Sequence, residues 1–152
     1  LLMLFVQKDH VEDEVSVKEQ PSLVTCIENS FDRRLSEHFY LKSFTKLFTL
    51  NNFQGVALLR DIQGFCYLDK LAIVQDARGM GLGQLLLSSV IKQTDALIWR
   101  SSIENPFQDF YLTLCDGVIK TDDWHLFWIG YPHNVALIDV LQIIDAMPAD
   151  FE

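Results

Sequence analysis

The stretch that decides the fold is 71-LAIVQDARGMGLGQ-84, in which an apolar run is followed by three alternating glycines. The run starts at Leu71, ends at position 74 and includes β-branched side chains, as is typical of a buried strand. Beyond the glycines, large apolar residues recur at helical spacing, which predicts a helix that starts within or just after them. A strand, a glycine turn and a helix N-terminus together direct backbone N–H groups at one point, where an anion can bind.

The three glycines make this turn a candidate phosphate-binding loop. Gly79, Gly81 and Gly83 tolerate positive φ and let the backbone approach a ligand closely, and Arg78 adds a cation beside them. The loop is not a Walker A motif, because no Gly-Lys-Ser/Thr is present, and its spacing is not the G-x-G-x-x-G of dinucleotide-binding folds. The alternative is a glycine-rich turn that only starts a helix.

Composition indicates one acidic globular domain. The chain has 152 residues, 49% of them hydrophobic, and a formal net charge of −9, and a chain of this length buries a substantial core. The acidic balance disfavours a nucleic-acid or anionic-membrane partner, because phosphates need a basic face. An anionic cofactor must then be held by local N–H groups and a few cations. Three widely separated cysteines give neither a disulfide framework nor zinc-ligand spacing, so we expect a reducing compartment and no metal.

The order of the predicted elements gives an α+β fold, with a mostly antiparallel mixed sheet flanked by helices. Pro21 marks one helix start, and Ser36 is a plausible N-cap for a second, short helix. Helices are predicted over 21–31, 36–44, from the glycines to 94, over 107–114 and over 135–147; strands over 47–50, 53–60, 65–74, 96–100 and 124–131; and turns at 51–52, 63–64 and 116–117.

Residues 1–19 are predicted to be a linker or a first strand, and residues 20–152 the folded domain. The apolar run over 1–6 is too short for a transmembrane helix, and no basic segment precedes it. We expect the chain to be a domain excised from a longer protein.

A set of ordered motifs resembles the N-acetylglutamate synthase branch of the GNAT N-acetyltransferases. The loop Arg78-x-x-Gly81-x-Gly83 is similar to the acetyl-CoA loop of that fold, Arg/Gln-x-x-Gly-x-Gly/Ala. More specific matches cover most of the chain, at SFDRRL (30–35), YLDK (67–70), LIWRS (97–101), NP with FY (105–106 and 110–111), DG (116–117) and W-x-x-FW-x-G (124–130).

This resemblance implies a GNAT-type domain that transfers acetyl from acetyl-CoA to the α-amine of L-glutamate. The product, N-acetyl-L-glutamate, serves arginine biosynthesis, and the transfer is direct, in a ternary complex, without a metal. In that family the domain usually follows an amino-acid-kinase domain. We therefore expect a kinase domain in the longer protein, a possible homo-oligomer, and a location in the bacterial cytoplasm or the mitochondrial matrix.

The resemblance places acetyl-CoA along a splayed strand end and the glycine loop. Unpaired N–H groups where two strands separate hold the pantetheine and the carbonyl oxygen, and the loop amides hold the pyrophosphate. The residues assigned to the cofactor are Ala72, Ile73, Arg78, Gly79, Met80, Gly81, Leu82, Gly83 and Gln84.

The resemblance also assigns Tyr111 a catalytic role, with Asn105 beside it. A thiol pKa of about 8.5 lies below the tyrosine value of about 10, so a positioned hydroxyl can protonate or hydrogen-bond the departing thiolate. The alternative is that Tyr111 is one of several core aromatics on its helix. No general base is evident; Asp69 and a water relay are both open.

Glutamate carries two carboxylates, so its pocket needs cations or amides. Lys70 and Arg100 are candidates because each lies in an otherwise apolar strand, and Arg33 is a third. The alternative for these cations is a solvated strand end or a structural ion pair. By strand alternation, Tyr67 shares a face with Asp69 and Leu71, while Leu68 and Lys70 share the other. The substrate-binding candidates are Lys70, Arg100, Arg33, Tyr67, Leu71 and Ser102.

Ser102 is a departure from the resemblance. The family commonly reads W-R-S-R, whereas this chain reads W-R-S-S over 99–102, so one cation is missing on the face of Arg100. The acceptor is therefore either L-glutamate or another amino acid. A non-catalytic regulatory or assembly domain of an acetylglutamate kinase is the alternative of a different class.

Overall fold

The computed structural model describes residues 6–132 and 134–152, the first ten of them by their backbone. In this part of the chain, seven strands form one sheet in the order β1-β2-β3-β4-β5-β7-β6. The strands are β1 (Val6–Val15), β2 (Phe44–Leu50), β3 (Gly55–Ile62), β4 (Phe65–Ile73), β5 (Leu97–Ser102), β6 (Gly117–Lys120) and β7 (Trp124–Ile129). The helices are α1 (Pro21–Phe31), α2 (Leu82–Thr94), α3 (Gln108–Leu114) and α4 (Val135–Ala146).

The predicted α+β fold with a mostly antiparallel mixed sheet is confirmed. Strands β4 and β5 form the parallel pair, and the other neighbouring strands of the described sheet are antiparallel. The parallel pairing is limited to Tyr67 with Ile98 and Leu68 with Trp99. Beyond these residues β4 and β5 separate, and a cleft opens between their C-terminal ends.

Apolar side chains cover both faces of the sheet. Helices α2 and α3 cover one face, where Leu86, Trp99 and Phe127 are buried together. On the other face, α1 packs over β2, β3 and β4 around Phe39 and Phe44, and α4 packs over β5 and β7. The cleft between β4 and β5 therefore lies between two packed layers.

A β-bulge in β4 overturns the predicted division of its side chains between the two faces. Leu58 pairs with Lys70 and Leu59 with Leu68, so Asp69 is an extra residue without an opposite partner. Because one inserted residue reverses the alternation, Lys70 lies on the same face as Tyr67, and Leu71 on the face of Leu68. The sequence pattern alone does not show this insertion.

The segment after α1 also differs from the prediction. The short helix predicted over 36–44 covers only Glu37–Leu41 and is a 3₁₀ helix, and Phe44 already belongs to β2. Ser36 lies at its N-cap position, but its hydroxyl is 2.7 Å from Nδ1 of His38 and does not cap the helix. A side-chain partner two residues away thus replaces the expected cap.

The structure adds a strand to the predicted sheet at one edge. Strand β6 follows Asp116 directly and pairs with β7, where only a turn was predicted, because a half-exposed four-residue strand gives little periodicity. At the other edge, β1 pairs with β2 and lies within residues 1–19, where a linker or a first strand was predicted. The predicted apolar run over 1–6 lies outside the described residues except for position 6.

No helix in the described ranges combines the length and apolar character needed to cross a bilayer.

Candidate functional site

A cleft of about 790 Å³ begins where β4 and β5 separate. Its walls come from the C-terminal halves of these strands, the glycine loop, the segment leading into α3 and the chain terminus. Most of the predicted site residues line it: Arg33, Tyr67, Lys70, Leu71, Ile73, Arg78, Gly79, Leu82, Gly83, Arg100, Ser102, Asn105 and Tyr111. The fold thus gathers residues that are up to 78 positions apart, from Arg33 to Tyr111.

The glycine loop presents a row of unpaired backbone donors. Gly79 and Gly81 have φ of 84° and 72°, and Gly81 is the N-cap of α2. In the described part of the chain, no N–H group of residues 79–84 donates a hydrogen bond, and the first such bond is from Leu85 to the Gly81 carbonyl. A side chain at Gly79 or Gly81 would meet no atom within 4 Å, so the loop faces open space. Free amides at a helix N-terminus are an anion-binding arrangement.

The cofactor residues predicted in the loop start at Arg78, but the N–H group of Arg78 is not free. The Arg78 N–H donates to the Gln75 carbonyl at 3.2 Å, because residues 75–77 form a 3₁₀ turn. The Arg78 guanidinium donates to the carbonyl of Ser30, at the end of α1, so its charge is held at the edge of the cleft.

Four of the predicted cofactor residues lie outside the lining of the cleft. Met80, Gly81 and Gln84 are exposed at the outer rim of the loop, where their amides remain free. Ala72 is buried on the α1 side of the sheet, because the bulge at Asp69 places it opposite the cleft's apolar wall. The Ala72 side chain therefore lies away from the lining of the cleft.

The free edge of β4 has one backbone donor that is already occupied. The Ile73 N–H donates to Oγ of Ser30 at 3.1 Å, which departs from its predicted role as a donor to the cofactor. Backbone N–H groups alternate along a strand, so the Leu71 N–H points to the same edge. No strand pairs with this edge beyond Leu68 in the described sheet, and Leu71 remains the donor at the opening.

Tyr111 lies in an aromatic wall of the cleft. Its side chain is 6% exposed, packed edge-on against Trp99 and Phe127 with ring centroids 5.7 and 5.3 Å away. Burial raises the pKa of Tyr111 to about 12, although a hydrogen bond with the Asn105 side chain lowers it. Oδ1 of Asn105 also accepts a hydrogen bond from the Phe107 N–H at 2.8 Å, which fixes the start of α3. The predicted neighbourhood of these two residues is thus present, with the hydroxyl protonated at neutral pH.

Lys70 is not the unpaired cation that the sequence predicts. Its side chain is 8% exposed, and Nζ lies 2.8 Å from Oδ1 of Asp69 and 2.5 Å from Oδ2 of Asp150. Lys42, which the sequence did not single out, contacts both carboxylates as well, at 3.1 and 2.7 Å. The structural ion pair considered as the alternative is therefore the state of Lys70 in this structure.

Asp150 is a cleft residue that the sequence did not reveal. Burial raises the pKa of its carboxyl, but Lys70 and Lys42 together outweigh burial and hold that pKa well below its usual range. Its partners are 80 and 108 positions away along the chain, so no local pattern signals the contact. Asp69 is likewise held by both lysines, with one lysine at each carboxylate oxygen.

Arg100 is also occupied within the chain. Its guanidinium donates to the carbonyls of Ile144, Met147 and Pro148 at 2.8–3.0 Å, and it lies 3.9 Å from the centre of the Trp124 ring. These carbonyls end α4, so the expected carboxylate ligand is replaced by a helix C-terminus, another favourable site for a cation.

The remaining substrate candidates line the cleft in different states. Arg33 is exposed, donates to the Glu152 carbonyl at 2.8 Å and lies over the Phe151 ring. Ser102 is exposed, and its Oγ accepts the Glu104 N–H at 3.4 Å. Tyr67 is buried, and burial raises the pKa of its hydroxyl strongly.

Trp99 adds a buried donor that sequence reasoning missed. Its ring stacks on Phe127 and lines the cleft, and Nε1 has no hydrogen-bond partner among the described residues.

Among the residues that the structure describes, no group of three or more His, Cys, Asp or Glu side chains is arranged to hold a metal ion.

Comparison of the sequence with known families gives a match over residues 8–148 to the N-acetyltransferase (NAT) of N-acetylglutamate synthase. Acetylglutamate kinase of Xylella fastidiosa is 34% identical over 114 residues, which are 74% of this chain and 27% of that protein. The mitochondrial N-acetylglutamate synthase of Mus musculus is 29% identical over 119 residues, 74% of this chain and 22% of that protein. The chain thus spans about a quarter of the length of these relatives.

Solved structures share the fold at low identity. The ribosomal-protein-S18-alanine N-acetyltransferase of Escherichia coli superposes with a TM-score of 0.59 at 14% identity, covering 88% of this chain and 98% of that one. A GNAT family acetyltransferase of Elizabethkingia anophelis with acetyl-CoA bound gives 0.57 at 14% identity, over 83% and 97% of the two chains.

Proposed function

Because the chain belongs to the N-acetyltransferase (NAT) family of N-acetylglutamate synthase, we propose that it transfers the acetyl group of acetyl-CoA to the α-amine of L-glutamate. The observation that carries this proposal is the placement of a row of free loop amides and the Tyr111–Asn105 pair along one cleft. The first supplies a site for a diphosphate, and the second a hydrogen-bond donor for a leaving sulfur.

Acetyl-CoA fits the loop by its chemistry. The pyrophosphate is proposed to bind the N–H groups of residues 79–84, where the N-terminus of α2 adds its positive dipole end. These donors are backbone groups, so they bind an anion in a protein whose overall charge of −9 would repel it. The Arg78 guanidinium lies beside them on the rim.

The proposed transfer is direct, in a ternary complex. The neutral amine of the acceptor attacks the thioester carbonyl carbon; the C–N bond forms, the C–S bond breaks, and its electron pair leaves on sulfur. The amine nitrogen gives its extra proton to solvent through the open side of the cleft. The Leu71 N–H, at the unpaired edge of β4, is proposed to donate to the carbonyl oxygen as negative charge develops there.

Tyr111 is proposed to stabilise the departing thiolate. A thiol has a pKa of about 8.5, and the pKa of Tyr111 is raised to about 12, so complete proton transfer from the phenol to sulfur is unfavourable. The hydroxyl therefore acts as a hydrogen-bond donor to the thiolate, and Asn105 orients it. Burial among aromatic rings strengthens this bond, because water does not compete for it.

L-Glutamate is proposed as the acceptor on the basis of the family and of the cations around the cleft. Lys70, Arg33 and Arg100 lie on its walls, and the Ser102 hydroxyl adds a neutral donor. Arg33 is exposed and uses one of its donors, so it can take a carboxylate without losing a partner. Tyr67 and Leu71 complete the proposed acceptor wall.

A second candidate is a different acceptor, or a regulatory domain without turnover. It is favoured by the internal contacts of Lys70 and Arg100, which leave the pocket with fewer available cations than the sequence suggests. In either case, the similarity to acetylglutamate kinase supports a proposal that the chain works beside an amino-acid-kinase domain, in the bacterial cytoplasm or the mitochondrial matrix.

The test is release of CoA thiol from acetyl-CoA with each of the amino acids in turn. We expect release that depends on L-glutamate, and we expect Tyr111→Phe to lower kcat by about 10²-fold, since one hydrogen bond to the leaving group is lost. Acetyl-CoA binding should change little. Tyr40→Phe is the matched control, because it removes a phenol hydroxyl outside the cleft lining.

The pH profile provides an independent check on the same residue. Because the pKa of Tyr111 is raised to about 12, its hydroxyl stays protonated up to about pH 10, and kcat should show no fall between about pH 8 and pH 10. A rise in this window would come from deprotonation of the acceptor amine. Equal rates for wild type and Tyr111→Phe would contradict the assigned role. Release with another amino acid and none with L-glutamate would favour the second candidate.

A further inference from the structure

The Lys70 ammonium has three N–H groups, and the chain itself occupies all three. Nζ lies 3.1 Å from the Asp69 carbonyl, 2.8 Å from Oδ1 of Asp69 and 2.5 Å from Oδ2 of Asp150. An ammonium has three donors and no acceptor. A carboxylate that enters the cleft can therefore bind Lys70 only if one of these contacts is given up.

The lysine and aspartate charges around Lys70 balance one another. The two lysines, Lys42 and Lys70, face the two carboxylates of Asp69 and Asp150. The remaining charged or titratable neighbours are Arg60, 3.9 Å from Asp69, and His38, 3.0 Å from Asp150. Removing one acidic charge from the cluster would leave an excess positive charge beside the cleft.

The two carboxylates are not equally replaceable. Asp69 precedes Lys70 in the chain and holds it through both its carbonyl and its side chain. Asp150 gives only Oδ2 to Lys70, while its Oδ1 lies 2.7 Å from Lys42 and 3.0 Å from Nε2 of His38. If Asp150 releases Lys70, it keeps two partners, and no buried charge is left unpaired.

The backbone of the terminal segment is anchored independently of this side chain. The Ser36 N–H donates to the Asp150 carbonyl at 2.7 Å, and the Glu152 N–H to the Arg34 carbonyl at 2.9 Å. Leu35 and Phe151 form a β-bridge between the same segments. Asp150 can therefore change the partner of one oxygen while the wall of the cleft, which includes this segment, stays in place.

We propose that Asp150 is an internal ligand of Lys70 that a carboxylate of the acceptor replaces, and that Asp150 thereby sets the affinity of the cleft for acidic acceptors. The inference rests on the proposed function for the identity of the acceptor. It makes Asp150 a specificity-determining residue: its charge weakens the binding of dicarboxylates at the position where the sequence shows only a cation.

The test is the Kd of L-glutamate, measured by calorimetry with CoA present, for wild type, Asp150→Asn and Glu152→Gln. Asp150→Asn keeps the shape and the contact to Lys42 but removes the competing charge, so we expect Kd to fall about tenfold. Glu152→Gln removes a charge from the exposed end of the same segment and should leave Kd unchanged. The KM for acetyl-CoA should be the same in all three.

A measurement on the unaltered chain keeps the inference open to refutation if Asp150→Asn folds poorly. The ¹³C resonance of the Asp150 carboxyl should shift on titration with L-glutamate in the presence of CoA, while that of Asp69 shifts less. An unmoved Asp150 signal with bound L-glutamate, or a Kd that rises or stays constant in Asp150→Asn, would overturn the inference. Absence of thiol release with tight, Asp150-dependent binding would instead count against the proposed function alone.

Discussion

The glycine loop and the Lys70 cluster lie along the same cleft, and both consist of groups that bind anions, yet only the loop is unpaired. The amides of residues 79–84 have no partner in the described chain, whereas each charge among Lys42, Lys70, Asp69 and Asp150 has at least two. The loop can bind an anion as it stands, because its backbone amides have no partner among the described residues. The Lys70 cluster can bind an anion only if an internal contact is exchanged for it.

The reason lies in what each kind of donor can reach. The first N–H groups of a helix have no intrahelical acceptor, and Gly81, with φ of 72°, turns the chain so that they face open space. A long side chain, by contrast, can find an acceptor from any part of the fold, and a buried charge without one is costly. Lys70 and Arg100 therefore form hydrogen bonds with residues more than 40 positions away along the chain.

The largest effect on stability is expected from removing one of the paired charges in the Lys70 cluster. Lys42→Met removes the cation that bridges Asp69 and Asp150, so that Lys70 becomes the only lysine of the described residues in contact with these two buried carboxylates. We expect a loss of about 3–5 kcal/mol in the free energy of unfolding, as for a broken buried pair. Urea denaturation at neutral pH measures it.

Lys46→Met is the control for this change, because Lys46 lies in β2 and has similar partial burial without a place in the cluster. Its effect should be small. Equal losses in the two variants would mean that the methylene chain of Lys42, and not its charge, provides the stability, and the contrast with the loop would weaken.

The two regions also differ in how far the sequence predicts them. The apolar run, the glycine spacing and the apolar repeat after it are local patterns, and they place β4, the loop and the start of α2 close to where the structure has them. Local patterns succeed here because backbone conformation depends on neighbouring residues. The location of Tyr111 beside Asn105 came from a resemblance of motifs, since nothing in the helical spacing separates this ring from its aromatic neighbours.

The sequence does not predict which side chains pair with the cations of the cleft. The bulge at Asp69 shifts Lys70 to the other face of β4, and a single inserted residue leaves no trace in composition or periodicity. Asp150 meets Lys70 only after α4 and the terminal segment have folded back across β5. Contacts of this kind depend on the assembled fold, which is why the state of the predicted cations was the least predictable part of the site.

An intermediate effect is expected from removing one loop donor. Gln84→Pro deletes a free N–H in the first turn of α2, where proline is tolerated, and Gly83 before it has no Cβ to meet the proline ring. If this amide binds the pyrophosphate, the Kd of CoA should rise by about tenfold or more, the value of a hydrogen bond to a charged group, about 1.5–3 kcal/mol.

Gln84→Ala separates the amide from the side chain, because it shortens the side chain and keeps the N–H. Its Kd for CoA, measured by the same calorimetry, should match that of wild type. An increase of similar size in both variants would assign the contact to the glutamine side chain and would remove the backbone from the comparison.

The smallest effect compares two glycines within the loop itself. Gly81→Ala places a side chain at φ of 72° and should cost about 1–2 kcal/mol of stability, although the added methyl group meets no atom within 4 Å. Gly83 has a helical backbone inside α2, and its added methyl would lie 3.7 Å from Ile73 and Phe107, an ordinary contact. Gly83→Ala should therefore gain about 0.5–1 kcal/mol, because alanine is the better helix residue. Opposite signs in urea denaturation would show that the loop needs glycine at the left-handed position 81 and not at position 83. A loss of stability in both variants would instead mean that the close approach of the helix to Phe107 and Ile73 also holds the loop open.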